Sequence, residues 1–479
     1  MSDHPHPQPA DPDEPDKPEE PDDPDFAAML ASLLGGADNP EVTKALGAMG
    51  IEKIDPATMG MMAAQIKAMM SGSVDPFNLE LATDVARKTV AAQGDTVVGD
   101  AARREVEQAV RVADLWIDAV TDLTTPTGAV HAWSRAEWVD QTMPMWRQLV
   151  EPVAVGVSSA VVAAMRAQMG RLGGGVPLPA IPGLPEGVDP GALMGQMEPM
   201  LARMSGSMFG AQVGQAVGAL ANDLVSGTEV GLPLVPGHGI AMLPANISAF
   251  AEGLEVDLAE VRLYLAVREA ARVRLFAEVA WLGPQLVAAV QAYARDISID
   301  TEGIESALQS MDPTDPDPEA IQLALSGSLF APEPSPAQRS ALAQLETYLA
   351  LVEGWVDVVA DRATSKHLPH AAALGEAVRR RRASGGPAER VFSQLVGLEL
   401  RPRRLRDAAN LWAALEARGG ARARDGAWGH PDVAPTSADL EDPLGYVDRL
   451  MSRGSGDDMD AALDALLSEG DSEGDSDTP

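Results

Sequence analysis

At 479 residues with 46% hydrophobic side chains, the chain is long enough for two or three domains and a sizeable core. Aromatics make up only 4%, so that core must be built from Ala, Leu, Val and Met, a mixture that favours helices. The absence of cysteine excludes disulfides and Cys-ligated metals. A formal charge of -35 argues against nucleic acid, whose phosphates need clustered Lys and Arg.

That charge is unevenly placed. Residues 2–25 hold ten acids, one Lys and eight prolines, and residues 456–479 hold nine acids and no base, so the two ends carry about half of it. Neither end has enough apolar surface to order itself, and both are expected to be disordered acidic tails (1–25 and 456–479). The N-terminus lacks the basic and apolar regions of a signal peptide. The longest weakly polar run, Pro152 to Met165, falls short of the roughly 20 residues of a membrane span. A cytoplasmic protein with no membrane partner is expected.

Residues 26–72 read as three short Met-rich helices, with the Met cluster (Met59, Met61, Met62, Met69, Met70) as irregular core or a sticky surface. A helical part spans 75–170. FNLELATDVARKTVAA and AARREVEQAVRVADLWIDAVTDL have apolar residues at three- and four-residue spacing. A third helix opens at Ser134 as N-cap, and Pro144 and Pro152 should kink or divide it. The Gly/Pro stretch 171–191 reads as a linker.

A second helical part, 192–450, follows. Gly206, Gly210, Gly214 and Gly218 recur every four residues, a stripe that admits a close neighbouring helix. TEVGLPLV (228–235) is the best strand candidate. Pro244 opens a short helix, and Asp257 caps a longer one that contains Arg268-Glu269-Ala270-Ala271-Arg272. Helices at GPQLVAAVQAYARDI and AQRSALAQLETYLALVEGWVDVVADRAT are separated by an acidic Pro-rich loop around Pro313–Pro318, and three further helices end the chain. Arg379-Arg380-Arg381-Arg382 closes one helical run, where a solvated cationic cap complements the macrodipole. The fold class is mainly α with at most a small sheet.

The Arg268–Arg272 stretch has the spacing of HExxH, in which two His at i and i+4 bind zinc and the Glu acts as general base. Here both His positions are Arg, which carries no lone pair for a metal. No phosphate loop, dinucleotide fingerprint or nucleophile elbow is present. His367 and His370 form an HxxH with Pro369 between them, better suited to a loop or helix start than to a metal site. His131 and His238 are expected in loops, and the scattered Trp residues in the core.

Several segments resemble the actinobacterial zincin-like metallopeptidases of the second type, a family also assigned as hydrolases or zinc-dependent metalloproteases. They are NLELATDVARKTVA, VEQAVRVADLWIDAVTDL, AWSRAEWVDQTMPMWRQLVEPVA, the Glu269 helix with LFAEVAWL, LVEGWVDVVAD, and the block from VFSQLVGLELRPRRLRDAANLWAALEARGG to AWGHPDVAPTSADLEDP. They span roughly residues 75–450 in matching order. The resemblance implies a largely helical zincin-like fold, with the general base at Glu269, the two His ligand positions at Arg268 and Arg272, and a third ligand at Glu353. With both His positions lost, no metal or other cofactor is expected, zinc returning only if the site works in an atypical way. Three readings stay open for Arg268, Glu269, Arg272 and Glu353. They form an ion-pair cluster bracing two helices, or an anion-binding pocket, or an atypical hydrolase site with Glu269 as base. The first two imply a pseudoenzyme that binds an unidentified protein or peptide partner.

Overall fold

The computed structural model describes residues 75–173, 190–295, 335–383 and 404–452. The segments expected to be acidic tails, the Met-rich helices, most of the 171–191 linker and the acidic Pro-rich loop lie outside the described residues. Described residues are mainly helical, with one small parallel sheet.

The chain opens with α1 (Leu79–Ala92), whose N-cap Asn78 accepts a hydrogen bond from the Leu81 amide, and α2 (Asp100–Asp118). Strand β1 (Val130–Ala132) leads into α3 (Arg135–Gly173) through a reciprocal cap: the Ser134 hydroxyl accepts from the Glu137 amide, and Glu137 accepts from the Ser134 amide. The expected division at Pro144 and Pro152 does not occur; one helix runs through both. Each proline removes a single backbone donor, and buried Trp138, Trp146, Leu149 and Val153 hold the helix across them.

Helix α4 (Pro190–Asp223) carries the glycine stripe. A Cβ at Gly206, Gly210, Gly214 or Gly218 would fall within 3.0 Å of a backbone oxygen of Asp75, Asn78, Ala82 or Ala86, respectively. The stripe therefore does what its spacing implies and lets α4 lie directly against the backbone of α1.

The expected strand over TEVGLPLV is a run of turns. Its β-branched residues serve a tight loop instead, in which the Thr228 amide and hydroxyl turn toward the buried acid described below. The second strand is β2 (Ile240–Met242), which pairs in parallel with β1 in the register Val130–Ile240, His131–Ala241 and Ala132–Met242. His131 thus lies in a strand rather than a loop, stacked on Trp133 at 4.8 Å between ring centres.

After the short α5 (Pro244–Ala251) comes α6 (Leu258–Glu278), capped by Asp257, which accepts from the Ala259 amide at 2.7 Å. Every residue from Tyr264 to Phe276 on α6 is buried. A helix buried all round is the centre of its fold. It packs against α2, α5, β2, α8 (Pro336–Thr364) and α9 (Ala371–Ala383). Helix α7 (Leu282–Arg295) bridges α3 and α8, and α10 (Leu405–Gly426) lies along α8. The short α11 (Ser437–Glu441) follows, and residues 443–452 are helical as well. Trp138, Trp146, Trp355, Trp412 and Trp428 are buried in one continuous core, as expected for scattered helix-borne Trp.

No single described helix is long and apolar enough to cross a membrane. Helices α6 and α7 pass that test only as a pair bent by 90°, and most of α6 is core.

Candidate functional site

Four of the charges buried in this core stand on α6: Arg268, Glu269, Arg272 and Arg274. Arg274 points away from the others and pairs with Asp114 and Asp118 of α2 at 2.8 and 2.6 Å. The remaining three share one face, because positions i, i+1 and i+4 of a helix project within about a third of a turn of one another. Opposite them, α8 presents Glu353 and, one turn on, Asp357.

Arg272 stands between the two buried glutamates. Its Nη1 donates to Glu269 Oε2 at 2.7 Å, its Nε to Glu353 Oε1 at 2.8 Å, and its Nη2 to Glu353 Oε2 at 3.2 Å. Arg268 donates to Glu353 Oε2 at 3.3 Å and to Asp357 Oδ1 at 2.7 Å. All four residues singled out from the sequence therefore meet in one network. Arg272 fills the role of the shared cation, binding both carboxylates through three donors of one planar group.

Both oxygens of Glu269 are hydrogen-bonded. Its Oε1 accepts from the Thr228 amide at 2.8 Å, and its Oε2 from the Ser226 hydroxyl at 2.7 Å and the Thr228 hydroxyl at 2.9 Å, in addition to Arg272. The loop carrying these donors is positioned by β2, through the Ser226–Met242 bridge and the Gly227 amide bond to Ala241 O at 2.8 Å. Gly227 is required there: a Cβ would lie 2.5 Å from Val235 Cγ2 and 2.9 Å from Ala241 Cβ.

Helix α9 supplies what the sequence reading missed. Arg379-Arg380-Arg381-Arg382 is not a solvated cap. Arg382 donates to Glu353 Oε2 at 2.6 Å, Arg381 to Glu229 Oε1 at 2.8 Å, and Arg379 to Asp357 Oδ2 at 3.0 Å; Arg379 and Arg380 remain largely outside, 52% and 72% exposed. Glu229 and the acids of α8 draw the inner half of the run inward, because a buried carboxylate without counter-charge is far costlier than an exposed cation gains at a helix end. Asp357 was legible as a partner, since E-x-x-x-D places it on the same helix face as Glu353. Ser226 and Thr228 carried no such signal.

The electrostatics follow the packing. Burial pushes the Glu269 carboxyl up, against the pull of Arg272, Ser226 and Thr228. Burial acts the same way on Glu353, but Arg272, Arg382 and Arg268 together overcome it and hold that carboxyl at about 2. Burial opposes the charge of Arg268, yet Tyr264, Asp357 and Glu353 outweigh it and hold the guanidinium above its ordinary value. Arg382 is the exception: burial, reinforced by Arg272 and Arg268, outweighs Glu353 and Glu229 and lowers it.

The profile of the zincin-like metallopeptidase family matches residues 77–447. The chain belongs to this family. A solved structure from Chloroflexus aurantiacus, described as a "putative hydrolase with a novel fold", superposes with a TM-score of 0.53 at 16% identity, covering 78% of this chain and 98% of that one. At that identity the likeness is one of fold. A comparison with curated proteins finds no match.

A zinc ion, which the family's name implies, does not fit the residues at this position. Zinc sites draw on His, Cys and carboxylate ligands. Here both His positions are guanidiniums and both carboxylates are already bonded to them. Among the described residues no three His, Cys, Asp or Glu side chains converge as a metal would need. His367 stacks on Trp116 at 4.5 Å, and His370 is hydrogen-bonded to Glu260 at 2.9 Å, so the HxxH pair is engaged in packing and a helix-start contact.

Proposed function

We propose that this zincin-like protein is a non-zinc member of its family, a pseudoenzyme with a binding or scaffold role toward a protein or peptide partner. The observation that carries the reading is the Arg272 guanidinium, 2.7 Å from Glu269 and 2.8 Å from Glu353. A permanent cation braces α6 against α8 there, as an ion would have done. Two further features support it. Glu269 is 0% exposed and both its oxygens already accept hydrogen bonds, whereas a general base must reach a proton on substrate or water. The cluster is also closed by Arg382 from a third helix, so opening it would strand several charges at once.

The alternative is a zinc-dependent hydrolase with an atypical site that uses Glu269 as base, favoured by family membership. Metal analysis of the purified, tag-free full chain by mass spectrometry, with Glu269→Gln alongside, separates the two. The proposal expects no stoichiometric metal and a lower unfolding midpoint for Glu269→Gln. Stoichiometric zinc that disappears in Glu269→Gln overturns it.

A further inference from the structure

Beside the ion-pair cluster lies a cavity of about 570 Å³, walled by α8, α9, α10 and Arg268 of α6. That volume is ample for a small organic ligand. Four guanidiniums line it, from Arg268, Arg379, Arg382 and Arg406, against three carboxylates, from Glu353, Asp357 and Asp407. The wall therefore carries one unbalanced positive charge.

The surplus is located in particular groups. Arg268 and Arg379 are committed to the acids of α8. Arg382 uses Nη1 on Glu353 and Nη2 on the Glu229 carbonyl, but its buried Nε finds no hydrogen-bond partner. Arg406 and Asn410, one turn apart on α10, make no hydrogen bond or ion pair among the described residues, and both face the cavity. The donors of Arg406 and Asn410 are therefore free to meet an acceptor that enters the cavity. The remaining wall is apolar, made by Val378, Leu405 and Ala409.

We propose that this cavity binds a carboxylate bearing an apolar substituent, its carboxylate on Arg406 and Asn410, its apolar part against Val378, Leu405 and Ala409. The planar guanidinium fork of Arg406 matches a carboxylate in a two-bond pairing. One surplus charge suits a monoanion, and the apolar wall excludes a bare inorganic ion as the best occupant. The inference rests on the metal-free reading of the adjoining cluster, since a metal there would change the charge of the wall.

Isothermal titration of the full chain tests it with four probes: hexanoate, N-acetyl-leucine, N-acetyl-leucinamide and inorganic phosphate. Both carboxylates should bind saturably, and the amide at least about tenfold more weakly, because it lacks the charge that strengthens the bond. Tighter binding of N-acetyl-leucine than of hexanoate identifies the ligand as the C-terminal residue of a peptide; the reverse order identifies a free aliphatic acid. Arg406→Gln should weaken the carboxylate at least about tenfold, and Asn410→Ala by less, both with unchanged unfolding midpoints because both residues are exposed and unpaired. The proposal is overturned if neither carboxylate binds at up to about 10 mM, if the amide binds equally, if phosphate binds as well, or if Arg406→Gln binds like the parent. The metal assay is independent of these outcomes. Zinc at Glu269 with carboxylate binding retained would defeat the metal-free reading alone; no zinc and no carboxylate binding would defeat the pocket alone.

Discussion

Replacing Arg272 by Met tests whether the cluster holds the fold together. Arg272 is 2% exposed and contributes three hydrogen bonds to two acids. Met fills most of the vacated space with a flexible apolar chain, so the packing loss is small. The charge loss is not. Glu353 keeps Arg268 and Arg382, but Glu269, 0% exposed, loses its single cation and retains only the Ser226 and Thr228 donors. Stranding one partner of a buried pair costs about 3–5 kcal/mol. Proton uptake by Glu269, whose carboxyl burial already pushes up, limits the loss, so about 3 kcal/mol is expected near neutral pH. Because a group with a raised folded pKa stabilises below its unfolded value and loses that contribution as pH rises through the folded one, the deficit of Arg272→Met should widen with rising pH. Urea unfolding followed by Trp fluorescence measures both. With Glu353→Gln and the double variant, the same titrations close a cycle in which a coupling of about 1–3 kcal/mol is expected. A loss under about 1 kcal/mol for Arg272→Met, with coupling near zero, would refute the bracing role.

Glu353, held at about 2 against an ordinary value of 4.5, contributes stability that is fully present above pH 4.5 and is lost as pH falls toward 2. That contribution is on the order of 3 kcal/mol, and Glu353→Gln should flatten the acid limb of the stability curve accordingly; an unchanged acid limb counts against the depressed carboxyl. The double substitution Arg268→His with Arg272→His recreates HExxH opposite Glu353 and should bind zinc where the parent does not; a metal-free double variant would mean that more than two ligands have been lost. Thr228→Val should cost about 1–3 kcal/mol, since it removes the hydroxyl donor of a fully buried carboxylate while keeping the shape of the side chain, and a neutral result in urea unfolding would show that Glu269 does not depend on that donor. Gly214→Leu should destabilise by about 1–3 kcal/mol or more, because α1 lies against the Gly214 Cα; an unchanged urea midpoint would mean that the two helices can separate there.

Much of this fold was legible from local chemistry. Asp257 and Ser134 as caps and the helix start at Pro244 are where residue type and spacing placed them. These are decisions taken within one or two helical turns, where the chain carries all the information required. The α6 face with Arg268, Glu269 and Arg272 follows from helical spacing alone, whereas the meeting with Glu353 was left open by the sequence and is made by the packing of α6 on α8.

What the sequence could not decide were the long-range matches. The TEVGLPLV segment has strand propensity, yet the acid at Glu269 needed donors and the loop supplied them, leaving β1 and β2 to pair across more than a hundred residues. The four consecutive arginines read as a solvated helix end because only Glu376 opposes them nearby in sequence. Their partners, Glu229, Glu353 and Asp357, lie between 22 and 152 positions away in sequence and reach them only when α8 and α9 come together. A helix cap costs little to form and is fixed locally, whereas a buried charge commits whichever distant counter-charge the packing delivers. The sequence therefore determined the helices and the charged face of α6, and the tertiary structure alone decided that those charges neutralise one another and leave Arg406 and Asn410 facing a cavity without a partner among the described residues.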